Sequence, residues 1–208
     1  MKVLVAIFSI CLIFSSVACK QKSNEPPMAF DKKLAICDSL YNFDVLARNG
    51  MLDRNSFLKY ENCLCNTIAP DADIQTDQGL NLSIKKFKGK AIVLYTWNIN
   101  NPAYAEDLQY LMKRKDESKG KLDIIALSMF DPIGMPPELP TGTGSMNNVI
   151  LGIEVIRTGF NLKPNFPTAI FIDKDGIVRD LFSGMTYNFS MSKQDREDRI
   201  ARGIKSIM

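Results

Sequence analysis

Unbroken apolar runs and periodic ones alternate along this chain, and they predict different elements. Ala91-Ile92-Val93-Leu94-Tyr95-Thr96-Trp97 has no polar interruption beyond one threonine, which is the texture of a strand buried on both faces. Leu122–Met129 repeats that texture. Ala169–Ile172 and Ile177–Phe182 are two more apolar runs, joined by the turn Asp173-Lys174-Asp175-Gly176, so they predict a hairpin. A weaker hairpin is predicted earlier. Ala69-Pro70-Asp71 opens a short strand, Asp77-Gln78-Gly79 turns, and Leu80–Ile84 returns.

Other segments carry the helical period. Leu34, Cys37, Leu40, Tyr41 and Val45 recur at spacings of three and four, predicting a helix capped by Asp31 and running to about Arg48, where Asn49-Gly50 ends it. A second helix is predicted from Asp53 or Asn55 to about Asn62. Pro102 fits the first turn of a third, which continues through Leu108, Leu111 and Met112 to about Lys115. Further helices are predicted around Val149–Gly159 and over Lys193–Ile207. Between Asp131 and Gly144 lies a long Pro- and Gly-rich loop with Met129, Met135 and Met146 around it. It reads as a surface insertion. The element order describes a central mixed sheet flanked by helices.

The first eighteen residues depart from both patterns. Lys2 precedes the apolar run Val3–Phe14, small residues follow, and Cys19 comes next. That is the build of a secretory signal peptide, with an apolar stretch too short to span a bilayer. Cys19 after Val17-Ala18 resembles a bacterial lipobox, although Ser16 stands where leucine is usual. Acylation of Cys19 would hold the protein on a membrane. Residues 19–30 then read as lipid attachment site and flexible tether, 31–66 as a helical extension, and 67–208 as the main domain.

Composition narrows the chemistry. The 208 residues include 46% hydrophobic and 24% charged positions, ordinary values for a folded chain, with a net charge of +3 that gives no sign of nucleic-acid binding. There is no histidine, which removes every catalytic triad or metal site that needs one. There are five cysteines. Cys11 would leave with the signal peptide and Cys19 would carry lipid, so Cys37, Cys63 and Cys65 remain for chemistry or bridging in a compartment that permits disulfides.

Four fragments stand in a telling order: Ala69-Pro70-Asp71, Phe87-Lys88-Gly89-Lys90, Val93-Leu94-Tyr95-Thr96-Trp97, and Phe166-Pro167-Thr168 leading into Ala169–Gly176. Together they resemble the thioredoxin-like fold, and more narrowly the periplasmic TlpA/ResA thiol-disulfide oxidoreductases with their redoxin and peroxiredoxin neighbours. The resemblance spans about Ile68 to Met208. It implies a three-layer α/β/α architecture with a mixed central sheet and an N-terminal β-hairpin, here preceded by the helical extension. It also implies a cis bond before Pro167 and a groove for an extended segment lined by Trp97, Phe166, Pro167 and Thr168. The family places a redox Cys-x-x-Cys after the Trp, and those positions fall on Asn101 and Tyr104. An amide and a phenol cannot exchange disulfides, because the chemistry needs a low-pKa thiolate and a second thiol to resolve the mixed disulfide. The peroxiredoxin reading fails at the same loop. What is left there is a polar, aromatic surface of Trp97, Asn98, Asn100 and Asn101, which is either a solvated loop or a ligand site.

Two uses of the remaining cysteines stay open. Cys37 bridging Cys63 or Cys65 would tie the extension to the domain, leaving the third thiol free or intermolecular. Alternatively Cys63 and Cys65, a Cys-x-Cys pair, would form a relocated redox site. Three thiols without a fourth ligand argue against a metal, and Asp173-Lys174-Asp175-Gly176 reads as a turn rather than a calcium loop. The sequence therefore points to an exported, lipid-anchored thioredoxin-like protein with its usual redox site lost. It needs no cofactor and acts as a non-catalytic binding protein for a protein or peptide partner in the cell envelope. The competing expectation is a thiol-disulfide oxidoreductase working through Cys63 and Cys65, with or without Cys37.

Overall fold

The computed structural model describes residues 26–42, 53–75, 81–97, 102–128, 147–149, 154–162, 168–182 and 191–208. Its elements are β1 (Met28–Ala29), α1 (Phe30–Leu40), α2 (Arg54–Leu64), β2 (Thr67–Ile68), β3 (Asp73–Gln75), β4 (Asn81–Ser83), a 3-10 turn at Ile84–Phe87, β5 (Ala91–Trp97), α3 (Pro102–Glu117), β6 (Leu122–Ser128), β7 (Asn147–Val149), a single π-helical turn at Val155–Gly159, β8 (Ala169–Ile172), β9 (Ile177–Phe182) and α4 (Lys193–Ile207).

Seven strands form one sheet in the order β1-β2-β9-β8-β5-β6-β7. The centre, β9-β8-β5-β6, is built from the four runs that the sequence marks as buried. β5 pairs in parallel with β6 over its whole length and antiparallel with β8, which in turn pairs antiparallel with β9. All seven residues of β5 are buried. Helices lie on both faces, so the sheet needs no polar side. Alternation along β5 assigns its residues to two cores. Ile92 and Leu94 face Phe30, Leu34 and Cys37 of α1, Leu64 of α2 and Phe160 beyond the π-turn. Ala91, Val93, Tyr95 and Trp97 face Leu108 and Leu111 of α3 and Ile200, Ile204 and Ile207 of α4.

The N-terminal helices are thus one of the three layers. Phe30 meets Phe160 edge to face at 5.1 Å, and burying Phe30 and Leu34 contributes about 1.5–3 kcal/mol each. β1 continues into the same sheet by pairing with β2. Capping explains α2: Asp53 Oδ1 accepts from the backbone N–H of Ser56 at 2.8 Å.

Several expectations need correction. Asp31 does not cap α1; the cap is Ala29, and Asp31 sits in the first turn, where its charge still favours the helix dipole. α1 stops at Leu40 instead of near Arg48, and the Tyr41 N–H returns to Cys37 O at 2.9 Å. Of the helix predicted around Val149–Gly159, positions 150–153 lie outside the described residues, Glu154 is helical and Val155–Gly159 is a π-turn, while Asn147–Val149 extends the sheet beside β6. The early hairpin exists as β3 and β4, but forms its own two-stranded sheet. Two-residue strands such as β1 and β2 are too short to show a period, which is why the sequence does not announce them. The long loop with Met129, Met135 and Met146 lies outside the described residues.

Candidate functional site

The end of the sheet where β5 and β6 finish holds the described part of the predicted groove. Trp97 closes β5 and is 1% exposed. Thr168, the residue after Pro167, is pinned to β5 from both sides: its N–H donates to Thr96 Oγ1 at 2.6 Å, and its carbonyl accepts from Thr96 N–H at 2.9 Å. Neighbouring Phe166 and Pro167, with the proposed cis bond, lie outside the described residues. So do Asn98 to Asn101, Cys19 and the signal segment.

Tyr104, at the second position matching the family's redox pair, stands in the first turn of α3 and is 3% exposed. Burial, and then the Asp107 carboxylate, push its phenol up to about 12. It is a packed, protonated side chain at neutral pH and offers no nucleophile.

Behind it lies a buried polar network that sequence reasoning missed. Tyr95 Oη donates to Asp107 Oδ2 at 2.8 Å, and Arg196 Nε donates to Asp107 Oδ1 at 3.0 Å. The other end of the guanidinium meets Glu106 Oε2 at 2.5 Å and Met191 O at 3.3 Å. Asp107 is fully buried and Arg196 nearly so. The signal was present in the sequence. Asp107 falls on the stripe of Tyr104, Leu108 and Leu111, and Arg196 on the stripe of Ile200, Ile204 and Ile207. One acid and one base on the core faces of two helices that cover the same side of a sheet call for each other. The pair joins the start of α3 to α4 and fixes the helix beside the groove.

The cysteines sit on the opposite face. Cys37 and Cys63 form a disulfide across α1 and α2, with S–S 2.05 Å, Cα–Cα 6.0 Å and a sequence separation of 26. Cys37 is fully buried, while Cys63 packs partly exposed against the core. Tyr60 Oη donates to Asp38 Oδ1 at 2.7 Å beside the bridge. Burial and that carboxylate hold the Tyr60 phenol well above its ordinary range. The bridge settles one alternative, because Cys63 pairs with Cys37 and not with Cys65. Cys65 is itself disulfide-bonded, so of the two expectations for the third thiol the free one is corrected and the intermolecular one is left standing. The notion of a lost redox site is narrowed as well. The family positions lack cysteine, yet a disulfide is present elsewhere in the chain.

Asp173 fills a structural role. Oδ1 accepts from the N–H groups of Asp175 at 2.9 Å and Ile177 at 3.0 Å, and Oδ2 accepts from Arg179 Nε at 2.6 Å. With Gly176 at φ +81° closing the bend, Asp173–Gly176 is the turn that the sequence predicts.

No family model matches the chain, and none of the curated proteins compared matches it. Solved structures do. The thioredoxin domain of a thiol-disulfide oxidoreductase from Bacteroides vulgatus is similar at 17% identity, over 66% of this chain and 96% of that one, with a TM-score of 0.47. A secreted Mycobacterium tuberculosis disulfide oxidoreductase homologous to E. coli DsbE is similar at 18% identity, over 62% and 93%, with a TM-score of 0.48. The bacterioferritin comigratory protein of Xanthomonas campestris is similar at 13% identity, over 64% and 89%, with a TM-score of 0.49. The fold assignment rests on the strand order itself. With β9-β8-β5-β6 at the centre, β8 antiparallel to its neighbours, and α3 and α4 together on one face, this chain has the thioredoxin-like α/β fold.

Proposed function

We propose that this is an exported, Cys19-acylated, thioredoxin-like protein of the cell envelope that binds a protein or peptide partner and does not turn over disulfides. The observation that carries this reading is Tyr104: where the family's resolving thiol would stand, the chain holds a buried phenol raised to about 12. The groove walls support it, since Thr168 is held rigidly to Thr96 beside buried Trp97. Burial of Cys37 supports it from the other side, because a sulfur fully inside the core is closed to an attacking thiolate in the folded state. Insulin reduction driven by dithiothreitol tests the reading. The protein is expected to add nothing to the rate of dithiothreitol alone, and acceleration that Cys37→Ala/Cys63→Ala abolishes would refute it. Intact mass of the membrane-extracted protein tests the anchor, with two or three acyl chains expected on Cys19.

A second reading has one observation in its favour. Cys63 is only partly buried, and a bridge with one accessible sulfur can be attacked there. The oxidoreductase reading predicts a Cys37–Cys63 pair that opens and closes against glutathione while the protein stays folded.

A further inference from the structure

Three loops at the end of the sheet opposite Trp97 gather lysines from distant parts of the chain. The segment before β5 carries Lys85, Lys86, Lys88 and Lys90, the turn before β6 carries Lys119 and Lys121, and the β8–β9 turn carries Lys174. All seven are exposed. The loops are stitched together by backbone hydrogen bonds, Gly89 N–H to Lys174 O at 2.8 Å and Ala91 N–H to Lys121 O at 3.0 Å. Three acids answer them: Asp71 at 2.7 Å from Lys85, Asp123 at 3.7 Å from Lys90, and Asp175 at 3.1 Å from Lys174. The excess of cations here is at least as large as the net charge of +3 of the whole chain.

The chain's entry point lies at the same end. β1 pairs with β2, Ile68 of β2 stands opposite Ile177, and Ala69 N–H bonds Gly176 O at 2.9 Å in the lysine-bearing turn. Ile68 and Met28, 48% and 40% exposed, add apolar surface next to the lysines. Nine residue steps separate Cys19 from Met28, a reach of at most about 30 Å. A domain held that close cannot avoid the membrane surface, and the face beside its tether is cationic and partly apolar.

We propose that this lysine pole docks on an anionic lipid surface, a partner class that rests on the lipid-anchored reading above. An acyl chain and a polybasic surface are the two signals that together give stable anchoring. β5 runs about 20 Å from Ala91 at the pole to Trp97 at the groove. Docking by the pole therefore turns the Trp97–Thr168 end away from the bilayer, toward whatever partner approaches from the aqueous side.

Lysine footprinting tests this on the full-length protein. The protein is mixed with vesicles of phosphatidylcholine, with or without phosphatidylglycerol, then treated with a membrane-impermeant amine-acylating reagent and read by peptide mass. Lys86, Lys88, Lys119, Lys121 and Lys174 are expected to react several-fold more slowly with phosphatidylglycerol present. Lys193, at the groove end on α4, is expected to react equally in both, and high salt is expected to erase the difference. In the variant Lys88→Glu/Lys119→Glu/Lys121→Glu, each lost lysine weakens attraction to the anionic surface about fivefold, so protection of Lys86 and Lys174 disappears while circular dichroism stays native. Equal reactivity of the pole in both vesicle types overturns the proposal. So does protection by an RNA oligomer under conditions where phosphatidylglycerol vesicles give none. Pole protection in a protein whose mass shows no acyl group leaves the docking surface standing and removes the anchor instead.

Discussion

Asp107 and Arg196 carry the sharpest stability prediction at the scale of single residues. Both charges are out of water, and each is satisfied by the other together with Tyr95, Glu106 and Met191 O. Removing one partner strands the remaining charge, at a cost of about 3–5 kcal/mol. Asp107→Ala is therefore expected to lower the urea midpoint strongly, while Glu106→Ala, at the half-exposed end of the same guanidinium, changes it little. Tyr104 gives a pH signature. Its phenol keeps the proton longer folded than unfolded, so its contribution is complete below the unfolded value of about 10 and is lost as pH rises through about 12. An ultraviolet titration of the native protein should show phenols ionising later than an ordinary tyrosine, Tyr104 and Tyr60 among them, and Tyr104→Phe should reduce that late amplitude by one phenol. The sequence revealed Tyr104 as a missing thiol but not as a packed wall of the core. Whether a phenol is buried depends on α4 arriving beside it, about ninety residues later in the chain.

Among the elements, α1 and α2 depend on one another. Neither has a strong apolar stripe over its whole length, and Ile36 and Leu40 of α1 remain exposed. The Cys37–Cys63 bridge closes a loop of 26 residues, which on the chain-entropy account stabilises the fold by about 3 kcal/mol. Cys37→Ala/Cys63→Ala should lower the urea midpoint by a corresponding amount and increase amide exchange first in α1. On the other face, Gly203 of α4 lies against the Phe171 ring, and a Cβ there would overlap it. Gly203→Ala should cost about 1–3 kcal/mol by overpacking, although alanine favours a helix. The central strands, the late hairpin and α4 were legible because their apolar runs are long or strictly periodic. β1, β2 and the β7 edge were not. They are two or three residues each, and only long-range pairing defines them.

As a whole the molecule has two ends that the proposals above assign to different partners. Trp97 and Thr168 stand at one, beside positions where the family fold would carry thiols, and the lysine pole stands at the other, next to the point where the chain enters. The sequence made the fold readable through four ordered fragments and made the absence of the usual dithiol readable through Asn101 and Tyr104. It could not separate a Cys37–Cys63 bridge from a Cys63–Cys65 pair, since that choice is made by how two helices pack on the sheet. It also hid the lysine pole, because those residues come together only when three loops meet. The account turns on whether the Cys37–Cys63 bridge is a fixed part of the core. Thiol trapping of the folded protein across a series of glutathione ratios tests it most directly. The account predicts that the bridge stays closed at every ratio and becomes trappable only when denaturant unfolds the chain. A bridge that opens at a defined glutathione ratio, with circular dichroism unchanged, would contradict it and make the chain a working thiol-disulfide exchanger.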